Sequence, residues 1–303
     1  MFKMVLYVVL ISVGLFGANF GKLATGSNVG TYYQIGKDMS DLFLKYKIEF
    51  EPMVTEGSIQ NLDILYGLTN QKDVSFGIVQ QDAINYYNYF MLKNFNTNAK
   101  DIIKTVLPLY SEEIHLISKS GRKIELVKDK EYSVSCGKKE SGSCITAKYI
   151  EQAYGVKFRY NHDITFETAI SMMKEDKLDL TLSIIGKPSK IFKALEGIEF
   201  IELKDNLIMN GLYNKTTFTN NDYNWLSNPV GVYATTSVLV TNIAEGKNDK
   251  VIEAVIKILV KNKAYLEQNG HPKWKEVNYN ATKPKNFHNA ALNTFENISA
   301  TTK

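Results

Sequence analysis

From residue 22 onward, short apolar runs alternate with segments of helical periodicity, and the alternation runs through two successive series. In the first, residues 22–26 read as a strand. Residues 31–47 then place Ile35, Met39, Leu42, Phe43 and Tyr46 on one helical face. A second strand is expected at 50–54, and a helix capped by Ser58 carries Ile59, Leu62 and Leu65. The run VSFGIV at 74–79 reads as a buried strand, with a further helix starting near Gln80-Gln81-Asp82. Strands separated by helices form a parallel sheet flanked by helices, so the chain is expected to be α/β.

The second series starts after residues 105–118, a long extended stretch with Pro108 inside it, which suits a connection leaving one sheet for another. Strands are expected at 132–136, 156–160, 178–184 and 198–203. Between them lie a helix at 143–154, one marked by Phe166, Ile170 and Met173, and one with Ile191 and Leu195 opened by Gly186 and Pro188. The two series echo one another in topology without repeating in sequence. Residues 216–228 are polar and Asn-rich and read as loop. Residues 230–240 read as a strand returning to the first lobe, and 250–268 as one amphipathic helix. The tail from 283 has weak helix character.

At 303 residues, the chain fits one large domain or two of ordinary size. Its net charge of +4 is diffuse, and no run of five like charges occurs, so nucleic acid is not an expected partner. Lys3 precedes the uncharged run MVLYVVLISVGLF at 4–16, which small residues follow; this is the pattern of a cleavable secretory signal over residues 1–18. An uncleaved anchor is the alternative, although the run falls short of the roughly 20 apolar residues of a membrane span. Export would place Cys136 and Cys144 in an oxidising compartment; they either pair or remain two buried thiols. The four histidines lack ligand spacing, so no metal is expected, and His115 reads as a structural histidine.

Two glycine-bearing loops are the candidates for chemistry. Thr25-Gly26-Ser27-Asn28-Val29-Gly30-Thr31-Tyr32-Tyr33 joins a strand to a helix, where backbone amides and a helix N-terminus favour an anion. A plain strand-to-helix turn reads the same way. Ser141-Gly142-Ser143-Cys144 opens a helix; it either holds a carboxylate or phosphate or supplies ordinary capping by Ser143. Glu56-Gly57-Ser58 and Gln80-Gln81-Asp82 fall at C-terminal strand ends, the ligand edge of open parallel sheets. Capping or a helix-dipole contact is the favoured role of Asp82. No nucleophile elbow or HExxH is present. Glu112 and Glu113 are adjacent on a strand and point to opposite faces, so they form no acid/base pair. No catalytic residue is assigned, and the chain is not expected to be an enzyme.

The segments ATGSNVGTYYQIG (24–36), EGSIQNLDIL (56–65), FGIVQQDA (76–83), LPLYSEEIHLIS (107–118), VSCGKKESGSC (134–144) and LDLTLSIIGKPSKIFKAL (178–195) stand in one order. In them the chain resembles the TAXI-class solute receptors of TRAP transporters. The family usually has a Thr where Cys144 stands. The resemblance implies a two-lobed periplasmic-binding-protein-like fold, each lobe a mostly parallel sheet flanked by helices, joined by hinge strands. Lobe I is expected at 19–111 and 206–303, lobe II at 112–205. It further implies a periplasmic monomer without cofactor. This receptor would deliver a small anionic organic ligand, glutamate or a related dicarboxylate, to TRAP membrane subunits driven by an ion gradient. The expected ligand-binding residues are Gly26, Ser27, Gly30, Thr31, Tyr32, Ser58, Asn61 and Gln80 from the first lobe, and Ser141, Gly142 and Ser143 from the second. A receptor for an ATP-driven importer, a sensor, or an enzyme on the same bilobed fold are the alternatives. The two arginines, Arg122 and Arg159, have no expected place in the cleft.

Overall fold

The structure is a computed structural model that describes residues 18–139, 141–279 and 286–301. The expected signal segment lies outside the described residues except for Ala18. The first series folds as β1 (Asn19–Ala24), α1 (Thr31–Leu44), β2 (Glu49–Met53), α2 (Ser58–Tyr66), β3 (Val74–Gln80) and α3 (Gln81–Phe95). The short α4 (Ala99–Ile102) leads into β4 (Lys104–Lys119). The second series comprises β5 (Glu131–Ser135), α5 (Gly142–Tyr154), β6 (Lys157–Tyr160), α6 (Phe166–Lys174), β7 (Leu180–Ile185), α7 (Lys190–Lys193) and β8 (Ile198–Phe200). There follow α8 (Leu207–Leu212), β9 (Asn214–Phe218), β10 (Val230–Thr241), α9 (Asp249–Lys261), α10 (Lys263–Asn269), a 3-10 turn at Pro272–Glu276 and α11 (Asn289–Thr301).

The described strands form one sheet of ten, ordered β2-β1-β3-β10-β4-β7-β5-β6, with β8 beside β4 and β9 beside β10. Neighbours are parallel within β2-β1-β3 and within β7-β5-β6, and antiparallel where β10 and β4 join the two groups. β4 and β10 are long enough to belong to both. The C-terminal part of β10 pairs with β3 and the start of β4. The C-terminal part of β4 pairs with β7 and β8, and the start of β10 with β9. The two sheets expected from sequence are therefore halves of one, and two lobes hang on a pair of antiparallel hinge strands.

Alternation along each strand feeds the two faces of the sheet. In the first lobe, Leu23 and Ile78 pack with α1, α9 and Trp274, while Ala24 and Val79 pack with α2 and α3. In the second, Leu116 and Leu182 pack with Ile150 of α5, while Ile117 packs with Phe192, Phe200 and Phe218. Each such Leu, Ile, Val or Phe side chain, fully buried, contributes about 1.5–3 kcal/mol over exposure.

Three expectations are corrected. Residues 216–228 are not all loop: Asn214–Phe218 pairs antiparallel with Val230–Ala234. Lys215, Thr216 and Thr217 are largely on the solvent side of an edge strand, so its polarity hid it, and buried Phe218 alone marks the inner face. The helix at 250–268 breaks at Asn262, whose side-chain amide donates to Ile258 O (2.7 Å) and the Tyr46 hydroxyl (2.8 Å). The caps shift by one or two residues. Gly57 rather than Ser58 precedes α2, and Ser141 rather than Ser143 caps α5, accepting from Cys144 N at 3.3 Å.

Candidate functional site

The C-terminal ends of β1, β2 and β3 lead directly into α1, α2 and α3, so three helix N-termini gather at one edge of the first lobe. None has a hydrogen bond to its N-cap side chain, although Asp82 in the first turn of α3 accepts from Ala83 N. Their leading amides keep the partial positive charge of an unsatisfied helix start. The equivalent edge of the second lobe carries the start of α5 after β5 and the turn after β7.

The two edges meet. The Gln80 side-chain amide, at the end of β3, lies on the α-carbon of Gly142, the first residue of α5; a Cβ at Gly142 would overlap it. A second close approach lies deeper, where the Lys273 stem crosses Gly186, so that a Cβ there would overlap Cε. At both glycines a side chain of the first lobe or C-terminal segment occupies the space a Cβ would take.

Asp82, in the first turn of α3, is the polar centre of this seam. It is 1% exposed and accepts from its own Ala83 N (3.0 Å), Thr146 of α5 (2.7 Å), the Tyr213 hydroxyl (2.8 Å) and Thr235 of β10 (3.3 Å). Burial raises its pKa, while these hydrogen bonds pull it back down. Capping accounts for only one of these bonds; the other three tie α3 to α5, to the residue following α8 and to a hinge strand.

On the hinge strand β4, Tyr110 and Glu112 share a face and Glu113 points away. Glu112 accepts from the Tyr32 hydroxyl at 2.7 Å, and burial pushes its carboxyl up to about 8, opposed by the Tyr32 bond and by Lys273. Glu113 accepts from Lys187 N at 2.7 Å and lies 3.9 Å from Lys273 Nζ. That ammonium also contacts Glu276 at 2.5 and 2.7 Å and Ser111 O at 3.1 Å. A buried lysine from the chain's C-terminal quarter thus stands among the hinge acids.

The residues expected to bind ligand take different places. Gly26 is buried and its carbonyl accepts from Thr55 N at 3.2 Å. Ser27 is exposed, and its carbonyl accepts from Gly30 N at 2.8 Å, closing the loop before Thr31 starts α1. Tyr32 reaches Glu112, and Ser58 Oγ accepts from Gln80 N at 3.1 Å. Asn61 is turned inward: its amide donates to Thr25 O (2.6 Å) and Ile78 O (2.8 Å), and its oxygen accepts from Thr55 (2.6 Å). It clamps β1 to β3, with its polar atoms engaged. Ser141 caps α5 and donates to Cys136 O at 3.0 Å, and Ser143 Oγ accepts from Ile184 N at 3.1 Å. Tyr32, Ser58, Gln80 and Gly142 are thus near the seam, while the serine hydroxyls of the second loop serve its own framework.

Cys136 and Cys144 form a disulfide, with Cα atoms 5.0 Å apart, closing the loop that contains Ser141–Ser143. His162 Nδ1 is 3.7 Å from Cys144 Sγ, but sulfurs bonded to each other offer no thiolate to a metal. His115 is fully buried, with its ring nitrogens 2.9 Å from Glu113 O and 2.6 Å from the Tyr223 hydroxyl. Burial lowers its pKa to about 3, so it stays neutral against Phe192. Arg122 pairs with Asp179 and Arg159 with Glu131, on partly or fully exposed positions of the second lobe.

Sequence reasoning missed Asp82 as a tie between lobes, set Glu112 aside as no part of an acid/base pair, and missed Lys273 altogether. Two adjacent glutamates inside the apolar run 105–118 were the available signal for the hinge acids. Lys273 is brought to Ser111 across 162 positions and carries no local mark.

The comparisons with solved structures agree on architecture. A TctC solute-binding protein from Polaromonas superposes with TM-score 0.50 at 9% identity, over 93% of this chain and 97% of its own. An R. palustris protein solved with adipate gives 0.51 at 10%, over 93% and 95%. A structure described as a periplasmic transporter gives 0.52 at 10%, over 93% and 92%. At these identities the likeness shows the fold alone: the α/β, two-lobed fold of periplasmic binding proteins. No curated protein sequence matches the chain. Among the described residues no helix is long and apolar enough to cross a membrane. The model of the NMT1-like family matches residues 23–296, and the chain belongs to that family.

Proposed function

We propose that this chain is an extracytoplasmic solute-binding protein that closes its two lobes around a small carboxylate and delivers it to a membrane transporter. The observation that carries this reading is the meeting of the two C-terminal sheet edges at Gln80 and Gly142, beside three uncapped helix N-termini. A carboxylate at those N-termini gains from unsatisfied amides and helix dipoles. A ligand that touches both edges binds the closed arrangement more tightly than the open one, and that difference drives closure. β4 and β10 are the natural hinge. The Polaromonas neighbour is a solute-binding protein and the R. palustris neighbour was solved with adipate, a dicarboxylate, which fits the same reading.

The finer assignment follows the sequence resemblance. The receptor is of TAXI class, its partner is a TRAP transporter driven by an ion gradient, it works as a periplasmic monomer after removal of residues 1–18, and it binds without turnover or cofactor. Lobe I is taken as 19–111 and 206–303 and lobe II as 112–205; the packing of Tyr213, Phe218, Tyr223 and Leu226 with the second lobe's clusters supports moving the return to lobe I from 206 into β10, near Thr235. Calorimetric titration with adipate, glutarate, succinate and L-glutamate tests the reading. One or more should bind one per chain with no product formed; conversion of any to product overturns the reading, and failure of all four overturns the assignment to glutamate and dicarboxylates.

A further inference from the structure

We infer that Glu56 and Lys138 form an electrostatic latch at the mouth of the cleft. Their ion pair joins loop ends that stand far from the hinge, favours the closed arrangement before any solute is bound, and makes closure sensitive to ionic strength. This rests on the receptor reading above and names a device that sets its open–closed balance.

Glu56 follows β2, the outer strand of the first lobe, and Lys138 follows β5 in the second. In the sheet, β2 stands three strands out from β10, and β5 two out from β4. Across the sheet the two strands are six spacings apart, about 29 Å at the usual inter-strand distance. Lys138 Nζ is nonetheless 2.7 Å from Glu56 Oε1. The C-terminal edges of the two halves therefore lean toward one another until the loops beyond them touch.

Distance from the hinge decides what each contact between the lobes does when they rotate. Asp82 reaches Thr235 on β10 itself, and its helix follows β3, the strand next to β10. Its bonds lie close to the axis and change little. β2 is about 14 Å from β10, so a rotation of about 20° displaces its end by about 5 Å, more than a hydrogen-bonded ion pair can span. Asp82 is the fulcrum, and the Glu56–Lys138 pair breaks early in opening.

Both charges ride on braced turns. Lys138 sits in the loop closed by the Cys136–Cys144 disulfide; its carbonyl accepts from Ser141 N at 2.9 Å, and Ser141 Oγ donates to Cys136 O at 3.0 Å. On the other side, Glu56 N donates to Gln60 Oε1 at 2.7 Å, and Gly57 N to the buried Thr55 hydroxyl at 3.2 Å. With both backbones held, forming the pair orders little beyond the two side chains. The disulfide thereby gains a role: it presents Lys138 to the opposite lobe.

The pair is half-exposed, with side-chain exposures of 53% and 49%. Exposed pairs of this kind shift an equilibrium by about 1.5- to 5-fold. Their attraction is screened over about 10 Å at 0.1 M salt and about 3 Å at 1 M. That strength biases the empty receptor toward closure without locking it shut.

The test is a charge swap, read by small-angle X-ray scattering on the full chain after exhaustive dialysis and without added solute. In about 20 mM NaCl, Glu56→Lys and Lys138→Glu should each enlarge the radius of gyration, corresponding to an open-to-closed ratio at least about threefold above the parent's. The double swap should return the radius to the parent's value. A second readout needs no variant. A carbodiimide condenses a carboxylate with an amine to an amide, taking up the lost water as a urea. In the parent it should join Glu56 to Lys138, identified by peptide mapping, in a yield that falls as salt is raised. Single reversals that keep the parent's radius, a double swap that keeps that of the singles, or a parent that yields no Glu56–Lys138 cross-link overturns the latch. Each of these outcomes leaves solute capture standing, since that rests on the titrations above.

Discussion

The Gln80 side-chain amide fills the space a Cβ at Gly142 would occupy, joining the end of a first-lobe strand to the start of a second-lobe helix. Gly142→Ala should displace that amide from the seam. Because the obstacle is the end of a flexible side chain, the stability cost should fall below the roughly 1–3 kcal/mol of core overpacking. If the seam belongs to the ligand-bound state, solute affinity should fall at least about tenfold, or about 1.4 kcal/mol. Calorimetric titration checks this, and unchanged affinity would separate the seam from the bound state.

Asp82 should be a stability residue whose cost depends on the replacement. Asp82→Ala leaves the Tyr213 hydroxyl buried without its acceptor and Thr146 with only its longer bond to Gly142 O, at an expected cost of about 1–3 kcal/mol. Asp82→Asn keeps an acceptor and removes a charge that burial already disfavours, so it should cost clearly less. Urea unfolding of the two variants gives the order; equal costs would contradict the account.

Glu112 should impose a pH dependence that Glu112→Gln removes. Its folded pKa of about 8 lies above the 4.5 of an ordinary glutamate, so between those values the folded chain holds more protons than the unfolded one. Stability therefore falls as pH rises across that window. At about 1.36 kcal/mol per unit, the full shift corresponds to roughly 4–5 kcal/mol. His115, lowered to about 3, acts in the opposite sense: its contribution is lost as pH falls from 6.5 toward 3. The variant keeps that component. Unfolding free energies measured from pH 5 to 9 should fall less steeply for Glu112→Gln than for the parent, and parallel curves would contradict the assignment.

The disulfide should stabilise the loop that leads into α5. Its cysteines are eight positions apart, and closing a loop of that size contributes about 2–3 kcal/mol in the chain-entropy model. Cys136→Ser with Cys144→Ser should lower the unfolding free energy by that order and loosen the Ser141–Ser143 backbone. Hydrogen exchange at residues 141–146 reads the second effect, and protection equal to the parent's would show that the loop is held by Ser141 and Ser143 alone.

Much of this architecture is written in local patterns. The strand and helix series from Asn19 to Phe95 and from Glu131 to Phe200 follow the periodicity of buried residues, because each element buries one face against the sheet. The edge strand Asn214–Phe218 escaped because its outward residues are polar, and the break at Asn262 because it depends on a hydrogen bond to Tyr46, 216 positions away. The glycine loops stand at the sheet edge where the two lobes meet. Asn61 and Ser143 turned out to satisfy backbone groups, while Asp82, Glu112 and Lys273 meet only when distant segments pack. Local sequence reports faces and caps; it does not report which buried charges the tertiary fold brings together.

Native mass spectrometry of the purified mature chain is the most direct trial of solute capture between the lobes. The account calls for one small molecule per chain, carrying a carboxylate, that dissociates together with an increase in collision cross-section as the lobes separate. A chain that carries no such molecule, takes up none of adipate, glutarate, succinate and L-glutamate, and keeps one cross-section throughout would contradict it.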